Sequence, residues 1–88
     1  DFFVVCADWA YQDDAVALTM KLRTLGISAN FSYKAGKLAK QFKQAAEQNA
    51  AQTIIVGDEY RDGNVSVKDM ATGEQQKIAC VDFWRQFE

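Results

Sequence analysis

The stretch TIIVGDEYRDGNVSVKD, residues 53–69, joins two kinds of sheet architecture. Its first five residues, 53–57, form an apolar run typical of a buried strand. The turn signal Asp62-Gly63 and the alternating strand containing Val65 follow so closely that no crossover helix fits between the two strands. The sheet is therefore predicted to be parallel up to this stretch and mixed beyond it.

Two strand–helix units precede this stretch. Residues 2–7 are a continuous apolar run, as in a strand that is covered on both faces. Asp13 or Asp14 can cap the helix that follows, and Gly26 can end it in a left-handed conformation. The apolar stripe of this helix consists of Ala15, Leu18, Leu22 and Leu25.

The second unit begins with residues 27–33, where apolar and polar residues alternate as in a half-buried or edge strand. A break at residues 34–36 separates this strand from a helix with an apolar side and a basic side. The apolar positions are Leu38, Phe42, Ala45 and Ala46, and the basic ones are Lys37, Lys40 and Lys43.

Beyond residue 69, the pattern predicts one more short antiparallel strand and a last helix. Thr72-Gly73 is a second turn signal, and residues 77–81 follow as a short strand. Asp82 can cap a terminal helix, in which Phe83 and Phe87 lie one turn apart.

The element order is thus β-α-β-α-β-β-β-α, which predicts a three-layer α/β/α fold with a mixed, mainly parallel five-stranded sheet. A chain of 88 residues supports one core, so we expect a single domain over residues 1–88, cut from a longer chain. Its composition, 49% hydrophobic with no proline, indicates a folded domain. No apolar run is long enough to span a membrane, and we expect a cytoplasmic location.

The two cysteines, Cys6 and Cys80, each lie in an apolar, strand-like run, where we expect free buried thiols. Neither has a partner at metal-ligand spacing and the chain has no histidine, so we expect no metal site. No serine or cysteine has a base partner and no Walker-type phosphate loop occurs, so we expect no catalytic residues.

Charge is distributed unevenly along the chain. Residues 15–46 carry six basic side chains and no acidic one, whereas the remainder carries four basic against twelve acidic residues. The charge is therefore +6 in this segment and −8 elsewhere, which suits a protein that presents one face to an anion. The alternative is that the basic residues form an ordinary solvated helix face.

Three stretches together resemble one known family. They are FSYKAGKLAKQF at residues 31–42, IIVGDE at 54–59 and GNVSVKDMATGEQ at 63–75. In this order they resemble the anticodon-binding domain shared by the histidyl, glycyl, threonyl and prolyl members of the class II aminoacyl-tRNA synthetases. The third stretch is the most specific and is most similar to the C-terminal domain of the histidyl members. The loop at residues 6–11 departs from the pattern of the family.

The resemblance implies that the chain binds the anticodon stem-loop of tRNA. Gly36, with Lys34 and Lys37, could hold phosphate at the helix N-terminus, although the glycine could simply permit the turn. Lys40 and Lys43 continue this basic surface and are expected to contact phosphates as well.

Single-stranded loops are read through stacking and through base edges, and five further side chains are candidates for such contacts. Tyr33 and Trp9 could stack on bases, or fill space between a loop and a helix. Gln41 could read a base edge, or be an ordinary surface glutamine. Asp58 and Glu59 follow the central strand, where a carboxylate can accept from a base amino group or cap the next turn.

The resemblance also implies a larger parent enzyme. A class II catalytic domain on the same chain would bind ATP, magnesium and the amino acid, and the parent would be a homodimer. The alternative is a dimerisation or protein-interaction module of a synthetase-like regulator, with Phe83, Trp84 and Phe87 packing on a partner. A response-regulator receiver with Asp8 and Asp58 as its acidic cluster is more distant, because later strand–helix units are missing.

Overall fold

The computed structural model describes residues 2–31 and 37–87 of this α/β domain. Its strands are β1 (Phe2–Cys6), β2 (Ala29–Phe31), β3 (Gln52–Val56), β4 (Asn64–Asp69) and β5 (Gln75–Ala79). Its α-helices are α1 (Gln12–Thr24), α2 (Leu38–Glu47), α3 (Asp58–Arg61) and α4 (Cys80–Arg85), and a 3-10 turn (Trp9–Tyr11) precedes α1.

The five strands form one mixed sheet in the order β2-β1-β3-β4-β5. β1 is parallel to both β2 and β3, whereas β4 is antiparallel to its two neighbours, β3 and β5. Four of the five strands therefore run in one direction, and the predicted fold class is confirmed. The change from parallel to antiparallel pairing occurs between β3 and β4, in the stretch that decided the prediction.

The central strand and the first helix form for the reasons that their sequences suggest. All five residues of β1 are buried, as expected for a continuous apolar run with a helix on each face. Gly26 ends α1 with a φ of 80°, and its N–H donates to the carbonyl of Arg23 at 3.0 Å. The N–H of Ile27 donates to the carbonyl of Leu22 at 3.0 Å, which completes a Schellman motif.

The two faces of the sheet are covered unequally. On the α1 face, named for the helix that packs there together with α4, lies a large cluster that includes Val4, Leu18, Leu22, Ile54 and Phe83. On the opposite α2 face, the buried apolar residues are Phe3, Val5 and Ala45, with Leu38, Phe42, Ala50, Ile55 and Met70 packed around them. The domain therefore has three layers, with most of its core on the α1 face.

Several predicted boundaries of helices and strands were wrong. α1 begins at Gln12, so Asp13 and Asp14 lie in its first turn rather than at its cap. Their negative charges interact favourably there with the helix dipole. Leu25 is the C-cap and is 49% exposed, because the apolar stripe of α1 ends at Leu22. Ala46 is exposed, because α2 turns a narrower side to the sheet than predicted.

The C-terminal elements also begin earlier than predicted. Pairing of β5 with β4 starts at Gln75 and ends at Ala79, so residues 80 and 81 belong to α4 and not to a strand. The N–H of Cys80 donates to the carbonyl of Gly63 at 2.8 Å, which allows α4 to start there and leaves Asp82 in its first turn. The single turn α3 also stands where the sequence predicted a simple connection.

Candidate nucleic-acid interface

A groove of about 410 Å³ lies on the α2 face, between α2 and the strands at the far side of the sheet. It exists because α2 packs over β1 and β3, while the single turn α3 reaches β4 at one end of the groove. The groove is lined by Ala7, Leu38, Phe42, Ile55, Gly57, Asp58, Glu59, Ser66, Lys68 and Gln75.

The floor of the groove follows from the alternation of side chains in β4. Val65 and Val67 point into the core of the α1 face, so Ser66 and Lys68 point to the α2 face. Gln75 of β5 is the cross-strand partner of Lys68, which places an amide beside an ammonium group. The floor therefore offers hydrogen-bond donors from two neighbouring strands.

The wall formed by α2 brings an aromatic ring to this floor. The Nζ of Lys68 lies 4.5 Å from the centroid of the Phe42 ring, within the range of a cation–π contact. Both side chains are half-buried and line the groove. Proteins that bind single-stranded nucleic acid often combine a cation with an aromatic ring, because bases stack on the ring and phosphates bind the cation.

Residues that follow β3 close one end of the groove at the carboxyl edge of the sheet. The hydroxyl of Ser66 donates to the Glu59 carboxylate at 2.8 Å, which holds the predicted acceptor at the groove. Asp58 accepts from the hydroxyl of Tyr11, so it also ties α3 to the turn before α1. A Cβ on Gly57 would lie only 3.2 Å from the Cβ of Ala7, and glycine permits this close approach.

Gln41 has a role that neither interpretation of the sequence anticipated. Its side chain is only 2% exposed, so it is not a surface glutamine and does not present its amide to solvent. The N–H of Cys6 donates to Gln41 Oε1 at 3.0 Å, and Gln41 Nε2 donates to the carbonyl of Cys6 at 2.9 Å. The amide thus joins α2 to the end of β1, and the prediction that Gln41 lies on the surface was wrong.

Of the predicted lysines, the three that the structure describes lie outside the groove. Lys37, Lys40 and Lys43 are exposed, and a turn of about 100° per residue places Lys40 and Lys43 opposite the sheet. One flank of α2 faces β2, because Asn30 donates to its C-cap residue Gln48 at 3.2 Å. The groove lies on the other flank. A basic outer surface and a groove therefore share one helix.

The remaining predicted RNA contacts are divided between the edge of the sheet and undescribed positions. Trp9 is 65% exposed on the 3-10 turn at the carboxyl edge, and it does not line the groove. Beside it, the guanidinium of Arg61 lies 4.4 Å from the centroid of the Tyr11 ring. Tyr33, Lys34 and Gly36 lie outside the described residues, so their contacts with RNA stay predictions.

The aromatic residues of the terminal helix are used within the domain. Phe83 is 1% exposed, and its ring lies 5.9 Å from that of Phe2 and 5.3 Å from that of Phe87. Trp84 is half-buried, with the Nζ of Lys21 at 4.1 Å from its ring centroid. These three aromatic residues therefore have packing partners within the domain.

Both thiols are free, as predicted, but only Cys6 is fully buried and lies in a strand. Cys6 in β1 donates through its Sγ to Gln12 Oε1 at 3.2 Å, and Cys80 opens α4. Burial raises the pKa of Cys6 above its ordinary value of 9.0, and burial likewise raises the pKa of Cys80 although Lys21 opposes this. Both thiols are thus neutral at pH 7.

Two features are absent from residues 2–31 and 37–87. Within these ranges no group of cysteine, aspartate and glutamate side chains is arranged to hold a metal ion. In the same part of the chain, no helix combines the length and the apolar character needed to cross a membrane.

The sequence matches known proteins of one family. The chain matches the model of the anticodon binding domain over residues 1–88. It is 40% identical over 86 residues to histidine–tRNA ligase of Bacillus licheniformis, and 42% identical over 83 residues to that of Halalkalibacterium halodurans. These matches cover 97% and 93% of the chain, but only 20% and 19% of the two relatives.

Solved structures agree with the sequence matches. Apo histidyl-tRNA synthetase of S. aureus superposes with a TM-score of 0.87 at 34% identity, over 99% of this chain and 23% of that one. The RNA binding domain of threonyl-tRNA synthetase from Cryptosporidium parvum shares the fold, with a TM-score of 0.86 at 17% identity. The chain belongs to the anticodon binding domain family and is homologous to the C-terminal part of histidyl-tRNA synthetases.

Proposed function

We propose that this chain is the anticodon-binding module of a histidyl-tRNA synthetase and orients the anticodon stem-loop of tRNA. The observation that carries the proposal is the groove on the α2 face, where Phe42 and Lys68 face each other beside Glu59 and Gln75. A ring, a cation, an amide and a carboxylate can together stack a base and pair with its edge.

In this proposal, one side of α2 contacts the bases of the loop and the other side contacts its phosphates. Nucleotides of the loop enter the groove, where the Phe42 ring stacks on a base and Lys68, Gln75 and Glu59 meet its polar edge. Phosphates of the loop lie along the outer surface of α2, where Lys40 and Lys43 bind them without regard to sequence. Specificity thus belongs to the groove, and affinity for the RNA backbone belongs to the lysines.

The chain spans about a fifth of the length of the curated relatives that it matches. For a parent protein of that length, we propose a class II catalytic domain that binds ATP and magnesium and attaches histidine to tRNA. The parent would work in the cytoplasm as a homodimer, and its catalytic domain would contact this module. The catalytic chemistry would lie wholly in that domain.

Fluorescence anisotropy with a labelled histidine-tRNA anticodon stem-loop and a scrambled-loop control tests the proposal. The domain should prefer the cognate loop. Lys68→Gln should weaken cognate binding by about tenfold, the size of one good base contact, and so reduce the preference. Arg85→Gln on α4 removes the same charge from the opposite face of the sheet and should leave the preference unchanged.

A double variant separates the contribution of the basic surface. Lys37→Ala/Lys40→Ala should weaken binding to both RNAs alike, and the slope of log K against log salt should become shallower by about one to two units. Equal binding of both loops by the natural sequence, unchanged by any of these variants, would overturn the proposed function.

A further inference from the structure

The Gln41 amide bonds to backbone groups at the end of β1. The N–H of Phe2 donates to the carbonyl of Ser28 at 3.0 Å, so the period of two directs the backbone groups of Cys6 to the same side, toward β2. The described pairing of β1 with β2 ends two residues before Cys6. Gln41 then supplies both the acceptor and the donor that Cys6 requires.

These two hydrogen bonds matter because, among the described residues, α2 buries little apolar surface against the sheet. Ala45 is the buried apolar residue that α2 contributes to its face, and Leu38 and Phe42 are half-buried. A small apolar contact leaves a helix free to rotate and slide, whereas a pair of directional hydrogen bonds fixes both. Breaking this pair would also leave the N–H and the carbonyl of Cys6 buried without these partners, which is unfavourable for both groups.

We propose that Gln41 is a positioning residue for RNA recognition, holding α2 so that its neighbour Phe42 stays over Lys68 and sets the width of the groove. The inference rests on the proposed function of the groove. Gln41 is buried, so it is not placed to contact RNA directly. It acts through the Phe42 ring, whose centroid is 4.5 Å from the Nζ of Lys68 and which moves if α2 rotates.

The first test compares two variants by their preference for the cognate loop. Gln41→Met keeps the volume and removes both hydrogen bonds, and the preference should fall by about tenfold, as for the loss of a base contact. Leu22→Ala on the α1 face is the matched control, because it destabilises the domain far from the groove. Unfolded protein lowers the apparent binding of both RNAs equally, so the ratio of the two dissociation constants reports on the folded groove alone.

A second variant provides a rescue. In Gln41→Glu, the ionised carboxylate can accept from the N–H of Cys6 but repels its carbonyl, whereas the protonated acid restores a donor. The preference should therefore be lost at pH 7.5 and return toward pH 5. The natural domain, measured at both pH values, controls for effects of pH on the RNA.

The outcomes separate the two proposals. A natural domain without preference overturns the proposed function and this inference with it. A natural domain with preference overturns the inference alone if folded Gln41→Met keeps the preference, if Leu22→Ala loses it equally, or if Gln41→Glu shows no recovery at low pH. Failure of both Gln41 variants to fold at any pH would assign the residue a purely structural role and also overturn the inference.

Discussion

The two faces of the sheet differ in what their residues are used for. Among the described residues, the cluster on the α1 face contains fourteen buried side chains, whereas the cluster on the α2 face contains three. Apolar burial scales with stability, so most of the stability of the domain is expected from the α1 face. The α2 face instead leaves β4 and β5 open and anchors its helix through a polar side chain. A small domain can thus keep a recognition groove because its opposite face holds the fold together.

The largest effect on stability is expected from a substitution in the core of the α1 face. Phe83→Ala should lower the free energy of unfolding by about 3–5 kcal/mol, because it removes a fully buried ring that packs on Phe2 and Phe87. Urea unfolding followed by circular dichroism measures the loss. The folded fraction should still prefer the cognate loop. A loss of less than about 1 kcal/mol would contradict the assignment of stability to this face.

The same substitution, leucine to alanine, can be made on both faces, so that the two losses of stability can be compared directly. Leu22→Ala on the α1 face should cost about 2–5 kcal/mol, since this side chain is fully buried. Leu38→Ala on the α2 face should cost about 1 kcal/mol, because the side chain is half-buried and loses less apolar contact. Leu38 also lines the groove, so its variant should weaken RNA binding as well. Equal losses of stability in the two variants would show that the faces do not differ in this way.

The α1 face should also be the more sensitive to alkali. Burial raises the pKa of Cys6 and Cys80 above 9.0, and burial with nearby Cys80 and Asp14 raises the pKa of Tyr60 above 10.0. A raised pKa favours the protonated native state, so this stabilisation is complete below those ordinary values and is lost as pH rises through the folded-state values. Urea midpoints should therefore fall between pH 8 and pH 11. A midpoint that does not change over this range, or a fall that Cys6→Ala and Cys80→Ala leave unaltered, would contradict the assignment.

Much of the fold could be predicted because its signals are local. Continuous and alternating apolar runs identified the strands, and Gly26 and Gly73 adopt positive φ values where turns were predicted. The beginnings of helices were predicted less well, because they depend on contacts between distant residues. The N–H of Cys80 bonds to Gly63, seventeen residues away, and this contact rather than Asp82 sets the first residue of α4.

The groove was harder to predict than the fold. Lys68, Ser66 and Gln75 reach one surface through cross-strand pairing, which the sequence of a single strand does not reveal, although the alternation with Val65 and Val67 indicated a polar side of β4. Gln41 gave a signal that was misinterpreted. It follows Leu38 by three residues and precedes Ala45 by four, which places it on the buried stripe of α2. Its polarity suggested the surface, because the backbone of Cys6 as a partner could not be seen from the sequence.

The smallest effect on stability is expected from a substitution on the outer surface of α2, which tests whether this surface binds RNA differently from the groove. Lys43→Ala should change the free energy of unfolding by no more than about 0.5 kcal/mol, since the side chain is exposed and points away from the sheet. In the proposed function it should weaken both RNAs alike and make the salt slope shallower by about 0.7–0.9, the value for one phosphate contact. Arg85→Ala on α4 is the matched control, because its guanidinium is exposed and only weakly paired with Asp82 at 3.8 Å. If both variants change the slope equally, net charge and not the position of α2 determines how the domain attracts RNA, and the lysines have no special place in the interface.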